Sequence, residues 1–227
     1  MKKLVVLTGA GISAESGIKT FRDSGGLWEG YDVYEVANPR GWAKNPALVL
    51  DFYNMRRKDV ANALPNGAHL GLVELEKYFD VQIITQNIDD LHERAGSKNV
   101  LHLHGEIFKM RSEKDQFHEQ VVTIKNDIQV GDLAPDGGQY RPHIVWFEED
   151  VPMLEEAIDT VEEADIFVII GTSLQVYPAA GLINYAPRNC QRFIIDTNIP
   201  SISAELRVQP IQAVASEGVA KLIELIT

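Results

Sequence analysis

The stretch Val5–Arg22, VVLTGAGISAESGIKTFR, decides how the rest of the chain is read. A short apolar run, Leu4–Leu7, stops at Thr8 and Gly9, as a buried strand entering a glycine loop does. Gly9, Gly11 and Ala14 match the G-x-G-x-x-G/A pattern of a dinucleotide-binding loop directly after a strand. The glycines let the backbone turn tightly and approach a pyrophosphate, and the amides of the next helix N-terminus supply positive potential. Alone the motif is weak, because a plain glycine turn after a strand satisfies it equally well. A redox dinucleotide fold would continue with a helix, a second strand and an acid about 20 residues on for the ribose. This chain continues SGIKTFRDSGGLWEGYDVYE, which reads as a mobile loop. In it Phe21 suits shielding a reactive sugar face from water, and Arg22 suits pairing with phosphate or positioning a ribose. Taken singly, they read as a core phenylalanine and a solvated arginine.

Further apolar runs lie at Val81–Thr85, Val100–Leu103, Ile144–Phe147, Ile166–Ile170, Phe193–Ile195 and Ile211–Val214. Helical patterns fall between several of them: Pro65–Phe79, Pro152–Ala164, Pro178–Ala186 and Ser216–Ile226. The alternation predicts an α/β fold, a Rossmann-like, mostly parallel sheet with helices on both faces. Two segments break it. Residues 29–64 hold one strong helix, Pro46–Leu64, and no clear strand; residues 111–141 are polar. Both are expected to form a small lobe, inserted into a large lobe of residues 1–28, 65–110 and 142–227, within one domain.

Acidic residues outnumber basic ones 33 to 21, which argues against broad nucleic-acid binding and against anionic membrane surfaces. The lone Cys190 precludes an intramolecular disulfide and a cysteine zinc cluster, and fits a reducing, cytoplasmic setting. MKKLVVL is too short for a secretory core, and no run approaches a membrane span.

Two further segments follow strands: TQNIDDLHERAG (Thr85–Gly96) and LHLHGE (Leu101–Glu106). Ligand loops gather at strand ends in open α/β sheets, so both are expected beside the glycine loop. With these residues the chain resembles the sirtuins, the NAD-dependent protein deacylases. GAGISAESGIKTFR, TQNID, LHGE, RPHIVWF, IIGTSLQVYPAAGL and DTN fall in that family's order from about Val5 to Ala215. The resemblance implies that NAD is consumed: an acyl-lysine oxygen attacks the ribose carbon, nicotinamide leaves, and the acyl group ends on ADP-ribose. It implies acylated lysines of proteins or peptides as the partner. His104 and Asn87 become the catalytic pair, with His104 as base; an ordinary imidazole titrates near ~6.5, which suits that task. Strand alternation puts His102 and His104 on one face, and only the family match to HGE selects His104. His69, His92, His118 and His143 read as structural. The resemblance assigns cofactor contacts to Gly9, Ala10, Gly11, Ser13, Phe21, Arg22, Trp28, Gln86, Asn87, Asp89, Gly171, Thr172, Ser173, Asn198 and Ala215.

Val145, Trp146 and Phe147 look like the edge that pairs with substrate backbone, with Gln175–Tyr177, including Val176, opposing it. Relatives usually have glycine where this chain has Glu148. Tyr53 and Arg56 lie three apart and share a helix face. There they resemble the sirtuin branch that removes succinyl or malonyl groups, a guanidinium forking onto the carboxylate and a phenol adding one hydrogen bond. Arg57 points about 100° away. Where many sirtuins carry four zinc cysteines, this chain has none, so no zinc is expected; Ser112 and Asp136 lie near the vacated positions. The small lobe is then expected to be held by Phe108, Phe117, Val121, Val122 and Ile124. The alternatives are a mono-ADP-ribosyltransferase, a non-catalytic ADP-ribose-binding module, and a dehydrogenase, the last disfavoured by the missing second-strand acid.

Overall fold

A computed structural model describes residues 1–19, 27–28 and 30–227, with Leu27 and Trp28 described by backbone alone. Six strands form one parallel sheet: β1 (Lys3–Thr8), β4 (Asp80–Thr85), β5 (Val100–His102), β9 (Ile166–Ile170), β10 (Gln191–Asp196) and β11 (Val208–Gln212). Their order across the sheet is β11-β10-β9-β1-β4-β5. Counted in chain order, that is 3-2-1-4-5-6 read from the β5 edge, the doubly wound arrangement. The chain reverses direction across the sheet between β1 and β9, and that switch point is where such folds open a crevice.

The strands are legible as contiguous apolar runs because both faces are covered. Leu4 and Val6 face one core, with α4 (Gly67–Leu75) and α7 (Ala215–Ile226) packed over it through Leu72, Leu75, Val219 and Leu222. Val5 and Leu7 face the other, under α6 (Leu154–Glu162) and a 3-10 helix at Ala179–Tyr185. The period of two along a strand makes this division. The expected helix Pro178–Ala186 is therefore a 3-10 helix of seven residues; Gly181 within it lowers α-helical propensity.

A third core gathers residues from both inserted regions. Its centre is α3 (Pro46–Asn62), which contributes Val49, Leu50, Phe52, Tyr53 and Val60. Pro46 at the first turn and Asn45, whose side chain accepts the Leu48 amide, start this helix. A three-stranded antiparallel sheet lies against it: β6 (Gly105–Ser112), flanked by β7 (Val122–Thr123) and β8 (Tyr140–Ile144). This sheet reaches beyond the expected 111–141, since β6 starts at Gly105 and β8 ends at Ile144. β2 (Leu27–Trp28) pairs antiparallel with β3 (Tyr31–Asp32), a strand in a region where none was expected past residue 29.

Of the residues expected to hold the small lobe, Phe108 and Ile124 do pack on this core, but Phe117 is 83% exposed and Val122 is exposed as well. Ile128, Ile107 and Ile144 take their place. Polar groups finish the work. Ser112 Oγ donates to Asp136 Oδ1 at 2.8 Å, and the amides of Lys114 and Gly138 close the turn around the pair. The two residues expected near the vacated zinc positions are thus bonded to each other. Among the described residues no group of His, Cys, Asp or Glu is arranged to hold a metal.

Candidate active site

A cavity of about 800 Å³ opens at the C-terminal ends of β1, β4, β9 and β10, between the sheet and the third core. Its floor is the glycine loop, through Gly9, Ala10, Gly11 and Ser13. The loop meets the end of β9: Gly9 N donates to Ile170 O and Gly11 N to Gly171 O, both at 2.9 Å. A Cβ on Gly11 would sit 2.6 Å from Gly171 Cα, and one on Gly171 would sit 2.4 Å from Ile12 N. Two backbones touch here, so neither position admits a side chain. Gly9 itself is extended (φ −124°), so close approach is what demands the glycines of the loop, whereas Gly171 is also left-handed (φ +64°). The loop runs into a short 3-10 helix, Ala10–Ser16, ended by Gly17 at φ +85°.

The loop after β4 supplies the next wall, with Gln86, Asn87 and Asp89. Asn87 Nδ2 donates to Ser13 Oγ at 3.2 Å, and Ser13 Oγ donates to Asp89 Oδ2 at 3.1 Å. All three are buried. Burial pushes the Asp89 carboxyl upward, against the Leu91 amide and Ser13 hydroxyl that favour its anion. Gln86 Nε2 reaches Thr172 Oγ1 at 3.3 Å and joins this wall to the Gly171–Ser173 turn. Asn198 and Ala215 line the far end.

His104 lines the cavity and His102 does not. His104 Nδ1 lies 3.0 Å from the Gln86 carbonyl. A carbonyl only accepts, so Nδ1 carries the hydrogen and, in the neutral ring, Nε2 holds the lone pair. Burial lowers the pKa of this imidazole below its ordinary value, and the Gln86 bond opposes that only in part. Gly105 follows at φ +79°, and a Cβ there would meet His143 O at 2.1 Å, so the glycine of HGE is required where β6 leaves the site. His102 instead pairs with Glu93 at 2.7 Å and reaches Asn87 O at 3.2 Å. Burial opposes its imidazolium, but Glu93 outweighs burial and raises its pKa.

The opposite wall comes from the third core. Tyr53 and Arg56 both line it, 0% and 4% exposed. Trp146 Nε1 donates to Tyr53 OH at 3.0 Å, and the two rings stack at 6.4 Å. Burial raises the Tyr53 pKa far above its ordinary value, so the phenol stays neutral and keeps a hydrogen to donate. Arg57 turns away, donating to Ile107 O at 3.0 Å and Asn54 Oδ1 at 2.8 Å. Val145, Phe147 and Val176 line the mouth. They do not form the expected strand: β8 stops at Ile144, and Phe147 N donates to Ala37 O at 3.0 Å. Gln175–Tyr177 likewise lies outside any strand. Glu148 sits at φ +72°, a left-handed backbone that suits glycine better, and pairs with Arg40 at 3.1 Å.

The Sir2 family model matches residues 9–178. The chain belongs to the Sir2 family. A Helicobacter pylori protein named NAD-dependent protein deacylase is 54% identical over 229 residues, spanning 99% of this chain and 97% of its own. One of the same name from Bacteroides thetaiotaomicron is 52% identical over 230 residues, spanning 100% and 98%. A solved structure described as a Sir2 homolog–NAD complex superposes with a TM-score of 0.87 at 38% identity, covering 99% of this chain and 89% of its own.

In this Sir2 chain the residues present fit NAD. A side-chain-free floor, the Ser13–Asn87–Asp89 group and the hydroxyls of Thr172 and Ser173 provide room and donors for a pyrophosphate and two riboses. Phe21 and Arg22, also assigned to the cofactor, lie outside the described residues, and the Trp28 side chain does too. Among the wall residues that the sequence did not single out are Ala37 and Glu149. Ala37 arrives from a distant loop with no local signal. Glu149 hides in the acidic run EED, which reads as a solvated surface; it accepts from Arg141 at 2.6 and 3.1 Å and from the Trp146 amide at 2.8 Å.

Proposed function

We propose that this chain is an NAD-dependent protein-lysine deacylase that prefers acidic acyl groups such as succinyl or malonyl. The supporting observation is that one cavity holds the glycine loop, His104 and the Tyr53–Arg56 pair. When bound, NAD supplies the electrophilic ribose carbon and the hydroxyl that takes up the acyl group. His104 Nε2, held neutral by burial and aimed by the Gln86 carbonyl, takes the hydroxyl proton. Asn87, fixed by Ser13, orients a ribose hydroxyl or water without adding charge. Asp89 accepts an amide hydrogen or keeps the loop ordered. Trp146, between Tyr53 and the cavity mouth, walls the acyl channel against water.

An acetyl group offers the Arg56 guanidinium no carboxylate, whereas the terminal carboxylate of a succinyl or malonyl group matches its planar fork. The test is a panel of acetyl-, succinyl-, malonyl- and glutaryl-lysine peptides with NAD, read by mass spectrometry. Arg56→Met is expected to lower kcat/KM for succinyl peptide by about 100-fold, the loss from stripping a buried charge of its partner, with acetyl peptide nearly unchanged. Equal loss on both peptides removes the acidic preference. A mass increase on protein, with no free lysine, would instead make the chain an ADP-ribosyltransferase.

A further inference from the structure

Beneath the Asn87 loop stands a column of buried polar groups that acyl transfer does not itself use. Thr8, Thr85, His69 and His92 are all 0% exposed. Thr85 Oγ1 accepts the Asn87 amide at 3.0 Å and the Thr8 hydroxyl at 2.8 Å. Thr8 Oγ1 also lies 3.0 Å from His92 Nε2. A hydroxyl has one hydrogen; with that of Thr8 donated to Thr85, His92 Nε2 is the donor toward Thr8 and the lone pair is on Nδ1. At the other end, the Asn66 amide donates to His69 Nδ1 at 3.2 Å, so the hydrogen of that ring is on Nε2.

Two atoms remain. His69 Nε2 and His92 Nδ1 are buried and have no hydrogen-bond partner among the described residues. The bookkeeping makes the first a donor and the second an acceptor. Their rings meet edge to face, centroids 4.9 Å apart and planes at 62°. The donor and the acceptor that the two rings spend nowhere else thus stand on adjoining rings. Asn66 continues the column, since its Nδ2 donates to Ile12 O at 2.7 Å and to Ser16 Oγ at 2.9 Å, both in the turn after the glycine loop.

We propose that His69 and His92 are a positioning pair, the link in one directional hydrogen-bond chain that joins the glycine-loop turn, through Asn66, to the backbone of Asn87. The observed bonds run from Asn66 N to His69, and from His92 through Thr8 to Thr85, where the Asn87 amide meets it; the step from His69 to His92 is the inferred link. Both floor and wall of the cavity are thereby held in one register. The chain requires two neutral rings, because one added proton sets N–H against N–H. The charged and titratable groups facing the pair are Arg94 and Glu15 for His69, and His69 and His102 for His92. Burial, aided by Arg94, brings His69 to about 4, and burial takes His92 well below its ordinary value, so both rings are neutral at neutral pH.

The inference rests on the deacylase reading only for its kinetic arm. The structural arm is long-range 15N NMR of the imidazoles in the ligand-free wild-type chain. Both His69 and His92 are expected as Nε2–H tautomers at pH 7, and an Nδ1–H ring or an imidazolium at either position overturns the chain. The kinetic arm compares His92→Phe with His92→Gln, which restores a donor toward Thr8. His92→Phe is expected to lower kcat about 100-fold, the scale of a misplaced catalytic group, with KM for NAD within about threefold. His92→Gln is expected to recover most of it. A lower Tm with unchanged kcat in the folded fraction, or no rescue by glutamine, overturns the positioning role. If His92→Phe fails to fold, the tautomers of the wild type still decide.

Discussion

At the scale of single residues, two histidines two positions apart have been given opposite electrostatic fates. His102 meets Glu93 and is favoured as a cation; His104 meets only a carbonyl in a buried wall and is favoured as a base. Alternation along the strand cannot separate them, and the resemblance to a family motif was needed. The physical reason is visible only in three dimensions: β5 ends at His102, and the required glycine at 105 turns the chain so that His104 faces the cavity. The consequence is testable. Because the His104 pKa is depressed, its neutral form survives below the usual imidazole range, and activity is lost only as pH falls through the depressed value. The acid limb of kcat/KM is therefore expected below pH ~6.5. A limb above that value would detach it from His104. His104→Ala is expected to cut turnover by about 10³-fold, within the range of general-base removal, with an unchanged circular dichroism spectrum.

At the scale of elements, the parallel strands were legible because burial on both faces writes itself as unbroken apolar runs, such as Ile166–Ile170. The Val145–Glu149 segment was not legible, because its order comes from charges. Arg141 lies 3.3 Å over the Trp146 ring and forks onto Glu149, which also holds the Trp146 amide. In sequence these look like ordinary surface residues, and an apolar IVWF run looks like a strand. Glu149→Gln leaves Arg141 without its counter-charge and removes one of the two acids facing Arg111, which keeps Asp115. The expected cost is about 3 kcal/mol, the scale of breaking a buried ion pair, read as a lower urea midpoint. Trp146 then loses its anchor, so deacylation of succinyl peptide is expected to fall as well. An unchanged midpoint would show that the pair contributes nothing. The small lobe's Ser112–Asp136 bond leads to a second expectation: chelation with EDTA leaves Tm and activity where they were, and a drop in Tm would reveal a metal that this turn does hold.

For the whole molecule, the strand order 3-2-1-4-5-6 puts the glycine loop, the Asn87 loop and the Gly171 turn at one edge, and the inserted core supplies the facing wall. Such an arrangement concentrates buried titratable groups around one cavity, and this couples stability to pH. His69 titrates near 4 in the folded chain, against 6.5 for an ordinary imidazole. Between those values the unfolded chain binds a proton that the folded one refuses, so stability falls as pH falls across that window. One such group accounts for on the order of 3 kcal/mol over the full window, and His92 acts in the same direction. Glu149, whose carboxyl is held below its ordinary value because Arg141 outweighs burial, adds a further loss at lower pH. Asp89 works the other way: burial raises it, so the folded chain takes up its proton first and gains stability on acidification. His102 and Asp90, also raised, act with Asp89, whereas His104, His118 and His143 are depressed and act with His69 and His92, so the depressed imidazoles outnumber the opposing groups. Urea melts at pH 7.5 and pH 5 are therefore expected to show a lower unfolding free energy at pH 5, and His69→Gln is expected to flatten the difference. A chain more stable at pH 5 would mean that the raised groups, Asp89, Asp90 and His102, and not the depressed histidines, govern the acid response.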